Sequence, residues 1–361
     1  MREKGMFKNM TDKLYLVLES GEVFEGYSVG ADLEAVGELV FTTGVVGYLE
    51  NLTDPAYAGQ IVVQTFPEIG NYGVIGEDIF GKCRPAGYVV SELCEDPSNF
   101  RCEGRLGDFL VKHNIPVIAG VDTREITRIL REKGSMNAKI AKEIPADMTE
   151  ISGYAVKNRV SSVSTEEKYT VQAKGEAKFR VTVIDCGVTK GIIDELTDRG
   201  CTVTVVPYSM SAEEIFVSAP DGIVVSGGPG NPAECTSVIR ELKKMIGRRP
   251  VFALGLGHQL TAIAMGAKTY KMKTGHRGSN QPVREVGGTR TYITEQNHGY
   301  AVMNESLPMT ARLSFSNVND RSCEGIEYRG QKCFTVQFTP NHDTSFIYDQ
   351  FITMMGGGNN A

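Results

Sequence analysis

A chain of 361 residues, 41% hydrophobic and 23% charged, is long enough for two domains with separate cores, and no apolar run in it approaches the roughly 20 residues that would span a membrane. A net charge of −6 without any long block of like charge argues against a nucleic-acid partner, because basic patches supply most of that affinity. The 8 cysteines include no C-x-x-C pair, so reduced thiols are expected in place of a zinc site or a disulfide framework. Of the 5 histidines, His258, His276 and His298 fall in Gly-rich sequences that read as turns, and their spacing along the chain fits no metal motif. Residues 1–13 are polar and lack the apolar core of a secretory signal, which gives a cytoplasmic expectation; Met6 and Met10 are alternative starts.

Two short strands, residues 14–18 and 22–26, flank a hairpin turn at Glu19-Ser-Gly-Glu22. A strand at 37–44 runs into a loop at Val45-Val-Gly-Tyr48, a further turn follows at Asn51-Leu-Thr-Asp-Pro55, and residues 60–66 supply an apolar strand. Helical spacing appears at 106–113 and 123–133, the second capped by Asp122 and buried through Ile126, Ile129 and Leu130. These elements predict a mixed α+β domain over residues 1–157. Residues 158–178 are poor in large apolar groups and read as a linker.

The pattern changes at Phe179. Strands at 180–185, 202–207, 222–226 and 251–254 alternate with helices at 190–199, 212–217 and 233–246, which predicts an α/β domain with a parallel sheet over residues 179–361. The loop Gly227-Gly-Pro-Gly-Asn-Pro232 and the turn Gly255-Leu-Gly257 both follow strand ends, where ligands bind in open sheets. The second of these is a strand, a sharp turn and a helix, the form of a nucleophile elbow, with Gly255 at its apex where a cysteine or serine is expected. The Gly227–Pro232 loop has neither a P-loop lysine nor dinucleotide glycine spacing, so a nucleotide site is not expected.

Ser226-Gly-Gly-Pro-Gly-Asn-Pro232, Leu254-Gly-Leu-Gly-His-Gln259, Thr274-Gly-His-Arg-Gly-Ser-Asn-Gln-Pro-Val283 and Gln296-Asn-His-Gly-Tyr300 together resemble the small, glutaminase subunit of carbamoyl-phosphate synthetase. The first domain agrees through Gly37-Glu38, Gly47-Tyr48, Leu52-Thr-Asp-Pro55, Asn99-Phe-Arg101 and Asp122-Thr-Arg124, so the resemblance covers residues 14–355. It implies a small-subunit domain followed by a class I glutamine amidotransferase domain, in which a cysteine attacks the glutamine amide with help from a histidine and a glutamate. It further implies a large synthetase subunit as partner, which receives ammonia and to which ATP and magnesium would belong, leaving no cofactor and no metal on this chain. The pathway served would be arginine or pyrimidine biosynthesis.

At all three catalytic positions the sequence departs from the family. Gly255 stands for the cysteine, Thr339 for the histidine and Asn341 for the glutamate. A nucleophile, base and orienting acid act as a unit, so their joint loss predicts a chain without glutaminase activity. The glutamine-binding positions survive better, at Gly44, Gly228, Gly230, Leu256, Gln259, Asn297, Gly299 and Tyr300, the last in place of a phenylalanine. Val45, Val46 and the 189–191 helix start also depart from the usual residues. The resulting expectation is a glutaminase-deficient docking subunit. Alternatives are a stand-alone glutamine-binding regulator, or a glutaminase with its nucleophile relocated to Cys186 or Cys235. His276 and His298 are expected to organise turns through backbone bonds, and His342 to lie in a surface loop.

Overall fold

Two units divide the chain, Met1–Val156 and Lys157–Ala361, in a computed structural model that describes residues 12–157 and 159–357. Met6 and Met10 lie outside the described residues.

In the first unit, β1 (Lys13–Leu18) and β2 (Val23–Ser28) pair antiparallel across the expected turn, where Gly21 takes a φ of +96° that side chains disfavour. β3 (Ala35–Thr42) is followed by helix α1 (Tyr48–Thr53), where only a loop and a turn were expected. The helix forms because Tyr48, Leu49 and Leu52 bury one face completely, and the chain then turns where Asp54 caps Ala56 N. β4 (Gln60–Gln64) runs parallel to β3. Next come β5 (Glu68–Ile69), β6 (Gly87–Val89) and β7 (Glu92–Leu93), of which β5 and β7 pair with each other.

Helix α2 (Leu106–Lys112), β8 (Val117–Ala119), α3 (Thr123–Lys133), β9 (Met136–Ala141) and α4 (Thr149–Ser152) complete this unit. Asp122 accepts from the Arg124 and Glu125 amides, a cap worth about 1 kcal/mol, and Ile126, Ile129 and Leu130 are buried as expected. The strands close into a barrel in the order β1-β2-β8-β6-β4-β3-β9, so the mixed α+β expectation resolves into a barrel with flanking helices. Closure removes free sheet edges, which three-residue strands such as β6 and β8 could not protect alone.

The second unit starts earlier than the reading of residues 158–178 as a linker allows. Helix α5 (Val160–Val163) puts Val160 into the core, Thr165 N donates to Asp185 Oδ2 at 2.7 Å, and β10 (Tyr169–Val171) adds to the sheet. An edge strand carries many of its side chains in water, so its polar composition mimics that of a linker.

The alternation then follows expectation: β11 (Phe179–Asp185), α6 (Lys190–Asp198), β12 (Cys201–Pro207), α7 (Ala212–Val217), β13 (Gly222–Val225), α8 (Thr236–Met245), β14 (Val251–Leu254) and α9 (Leu256–Ala264). After α9 the chain changes character. A long hairpin, β15 (Thr269–Glu285) with β16 (Thr291–Val302), precedes β17 (Ala311–Asn317), β18 (Cys323–Tyr328), β19 (Cys333–Val336) and α10 (Phe346–Met355).

The sheet has 10 strands in the order β10-β12-β11-β13-β14-β19-β18-β17-β15-β16. The run from β12 to β19 is the expected parallel sheet, and β10 and the strands from β18 to β16 extend it antiparallel at its two ends. Tight turns with no crossover helix leave β15–β18 no parallel option. Within the parallel run successive residues face opposite layers. Val225 and Ala253 pack with Leu242 of α8 and Leu260 of α9, while Val224 and Phe252 pack with Leu196 of α6 and Phe351 of α10. Among the described residues no helix is long and apolar enough to cross a membrane.

Candidate active site

The elbow forms where the sequence puts it. β14 is buried along its whole length, and Gly255 ends it with φ +53° and ψ −116°, a strained region for any residue with a Cβ. Gly255 N donates to Val336 O at 3.0 Å, and Gln259 N to Gly255 O at 3.3 Å, which fix the turn between β19 and α9. A Cβ built on Gly255 would meet only Gly227 Cα at 3.2 Å and Gln337 O at 3.8 Å. Space for a side chain therefore persists at the apex, with an adjustment of a few tenths of an ångström.

Its neighbours permit no such addition. A Cβ on Gly228 would lie 2.0 Å from Cys186 O, and one on Gly257 2.4 Å from Val225 O. Gly228 and Leu256, whose amides the family resemblance assigns to the oxyanion, are adjacent: the same Cβ on Gly228 would be 3.3 Å from Leu256 Cδ2. Gly230 holds a φ of +94° in the same loop. The close packing at Gly228 and Gly257 therefore requires glycine.

The base and acid positions serve the fold. Thr339 N donates to Glu295 O at 3.0 Å in an isolated antiparallel bridge. Asn341 caps the turn that follows, accepting from Asp343 N at 3.1 Å and donating through Nδ2 to Ile293 O at 2.9 Å. His342 is fully exposed beside Asp343. The substitute nucleophiles fare no better: burial pushes the Cys186 thiol well above its usual range and the Cys235 thiol up to about 11, so neither is a thiolate at neutral pH.

Of the positions expected to bind glutamine in this unit, Tyr300 is bonded directly to Gln259. Its Nε2 donates to Tyr300 O at 2.7 Å and to Gln337 Oε1 at 2.8 Å, which uses both amide protons and leaves Oε1 as the acceptor the residue offers. Gln337 was not anticipated from the sequence. It is 3% exposed and its own Nε2 has no partner among the described residues, a donor held beside the pocket. Its place directly after β19 and two residues before Thr339 was the available signal. Asn297 pairs with Arg277 across the hairpin, and Gly299 follows on the same strand. Gly44 belongs to the first unit, where its carbonyl accepts from Gln64 Nε2 at 2.9 Å.

His258 begins α9 as expected and is wholly buried, bonded through Nδ1 to Thr335 Oγ1 at 2.7 Å. Burial holds its pKa down to about 3, so it is a neutral structural group.

His276 and His298 do not sit in turns. They face each other across the β15–β16 ladder, with rings 5.0 Å apart at 89°. His298 does bond backbone, through Nδ1 to Tyr300 O at 2.8 Å, but His276 bonds side chains, placing Nε2 2.9 Å from Asp320 Oδ2 and Nδ1 3.1 Å from Gln296 Oε1. The Gly-rich composition that suggested turns reflects close packing: a Cβ on Gly275 would lie 2.3 Å from His298 O. Burial opposes the charge on His276, yet Asp320 and Glu324 raise its pKa to about 9, so it is an imidazolium at neutral pH. Burial keeps His298 neutral.

Comparison with known families accounts for nearly the whole length. The family model described as carbamoyl-phosphate synthase small chain, CPSase domain, matches residues 16–140, and that of glutamine amidotransferase class-I matches residues 182–352. The carbamoyl phosphate synthase small chain of Lactococcus lactis subsp. lactis is 43% identical over 355 residues, covering 95% of this chain and 98% of that protein. The chain belongs to the carbamoyl phosphate synthase small chain family. The small chain of Fusobacterium nucleatum is 44% identical over 93% of this chain and 96% of its own. Among solved structures, a glutamine amidotransferase from Thermotoga maritima is 17% identical with a TM-score of 0.37, over 45% of this chain and 75% of that one. As a small-chain family member the protein carries an amidotransferase-type second unit with an elbow turn at Gly255, and Gly255, Thr339 and Asn341 stand at the three positions that the resemblance makes catalytic.

Proposed function

We propose that this protein is a small-subunit scaffold that binds glutamine without hydrolysing it and docks on a carbamoyl-phosphate synthetase large subunit fed by free ammonia. The observation that carries the reading is the glycine at the elbow apex, in elbow geometry, with space for a side chain that the sequence does not supply. Acyl transfer needs a nucleophile at that atom, a base within hydrogen-bond reach and an orienting acid. Gly255, Thr339 and Asn341 provide none of them, and the two nearest substitute thiols are held protonated by burial.

A ligand pocket is still supported. Gln259 presents an acceptor toward any amine-bearing ligand because Tyr300 O and Gln337 fix its amide, and the glycine cradle retains its close approach to Leu256. ATP and magnesium would remain with the partner, and either arginine or pyrimidine synthesis would be served by the carbamoyl phosphate. The same pocket also favours a second reading, a glutamine-responsive regulator that acts without a synthetase.

The test pairs calorimetry against L-glutamine with co-purification of a large subunit. Ammonia-dependent synthesis by the complex, unaffected by glutamine as nitrogen donor, is the expected result. Glutamine-dependent synthesis would overturn the proposal, and glutamine binding by a chain that captures no large subunit would transfer the case to the regulator.

A further inference from the structure

Beyond the glutamine pocket, one buried cluster holds more metal-ligating groups than the fold requires. His276, His298 and Glu324 each offer one ligand atom, and these atoms lie within 4.8 Å of one another. Gln296 Oε1 sits between them, 3.1 Å from His276 Nδ1 and 3.0 Å from His298 Nε2. His276 Nδ1 is 3.4 Å from Glu324 Oε1. Donors about 2.0–2.1 Å from a tetrahedral metal are separated by roughly 3.3 Å, so these three separations already match the edges of a coordination tetrahedron.

The outer partners also fit. Metal-binding histidines anchor their distal N–H on a carboxylate or a backbone carbonyl, which fixes the tautomer and aims the other nitrogen inward. His276 does so on Asp320 Oδ2 at 2.9 Å and His298 on Tyr300 O at 2.8 Å. Ser322 Oγ donates to Glu324 Oε1 at 3.1 Å, which orients the carboxylate.

The orientation of the groups at the centre is a second pointer. His298 Nδ1 lies 2.8 Å from Tyr300 O, a carbonyl that only accepts, which leaves Nε2 as the nitrogen aimed at the acceptor Gln296 Oε1 at 3.0 Å. Gln296 is held in this orientation, because its Nε2 donates to Glu324 Oε2 at 3.0 Å and to Thr294 Oγ1 at 3.1 Å. A positive centre among the four groups suits that orientation.

We infer that His276 Nδ1, His298 Nε2, Glu324 and Gln296 Oε1 form a binding site for one first-row divalent cation of the Zn²⁺ class. Two imidazoles with one carboxylate suit zinc, and the amide oxygen supplies a weaker fourth ligand. The cation ties β15, β16 and β18 together and stiffens Tyr300 O, the carbonyl that His298 and Gln259 both hold. The site is structural and independent of glutamine hydrolysis.

The test is metal analysis and X-ray absorption on the full-length protein, stripped with chelator and dialysed against Zn²⁺. One zinc per chain with a nitrogen and oxygen shell containing two imidazoles is expected. Replacing either histidine by asparagine should abolish retention, and Asp320→Asn, which leaves all four ligands in place, should weaken it by about 10- to 100-fold. No retained zinc, sulfur in the first shell from one of the cysteines, or full retention in both histidine variants would overturn the assignment. Should the histidine variants fold poorly, the absorption spectrum of the unaltered protein decides the question.

Discussion

The elbow and the β15–β16 hairpin are two parts of one unit, and they have kept opposite things. At the elbow the backbone is preserved in detail, with a strained Gly255, a cradle at Gly228 that tolerates no Cβ, and α9 docked through Gly257, while the reactive side chains are gone. At the hairpin the side chains form a network: His276, Gln296, His298 and Glu324 bond one another, and the exposed Asp320 closes it from the β17–β18 turn. Backbone geometry at an elbow turn is upheld by packing, whatever side chain stands at its apex. A buried charged network is upheld by the cost of breaking it, since one removed partner strands the others.

The largest effect expected from this contrast is a gain. Restoring Gly255→Cys, Thr339→His and Asn341→Glu together should raise glutamine hydrolysis by on the order of 10³-fold or more, measured as ammonia release, whereas Gly255→Cys alone should give almost nothing without a base. If the single change sufficed, the elbow would owe its inactivity to one atom. On the hairpin, Glu324→Ala should cost about 3–5 kcal/mol in denaturant unfolding, because His276 would be left with half its counter-charge in a buried site.

The same network sets a pH dependence in metal-free protein. The folded-state pKa of His276, about 9, lies above its unfolded value of about 6.5, so its contribution is fully present below pH 6.5 and is lost as pH rises through 9. The thermal midpoint should fall across that window, and His276→Asn should remove this part of the slope. Two glycines separate cradle from apex. Gly228→Ala should destabilise by on the order of 3 kcal/mol through its clash with Cys186 O, but Gly255→Ala by only about 1–2 kcal/mol, from backbone strain. The smallest effect is expected at Gln337→Met, which frees the Gln259 amide and should weaken glutamine affinity by about fivefold in calorimetry, near 1 kcal/mol.

Much of the fold was legible in sequence because its signals are local. The apolar Val251–Leu254 run ending at a glycine turn, the capping aspartate before α3 and the strand–helix alternation up to α9 each reside within a few adjacent residues. Other features depend on partners far away in the chain. The facing of His276 and His298 is a register between strands, which spacing along the chain does not contain. Tyr169–Val171 joins the sheet only through β12, so its polar residues resembled a linker. Barrel closure requires β1 to meet β9 over more than a hundred residues. Gln337 was passed over for the same reason, since its role exists only beside Gln259.

The central claim is that the pocket at the elbow has lost hydrolysis as a unit. Ammonia release from L-glutamine by the purified full-length chain, alone and with a large subunit, tests it most directly. No release above the protein-free rate is predicted at any enzyme concentration; turnover that scales with enzyme and disappears in Cys235→Ala or Cys186→Ala would contradict it.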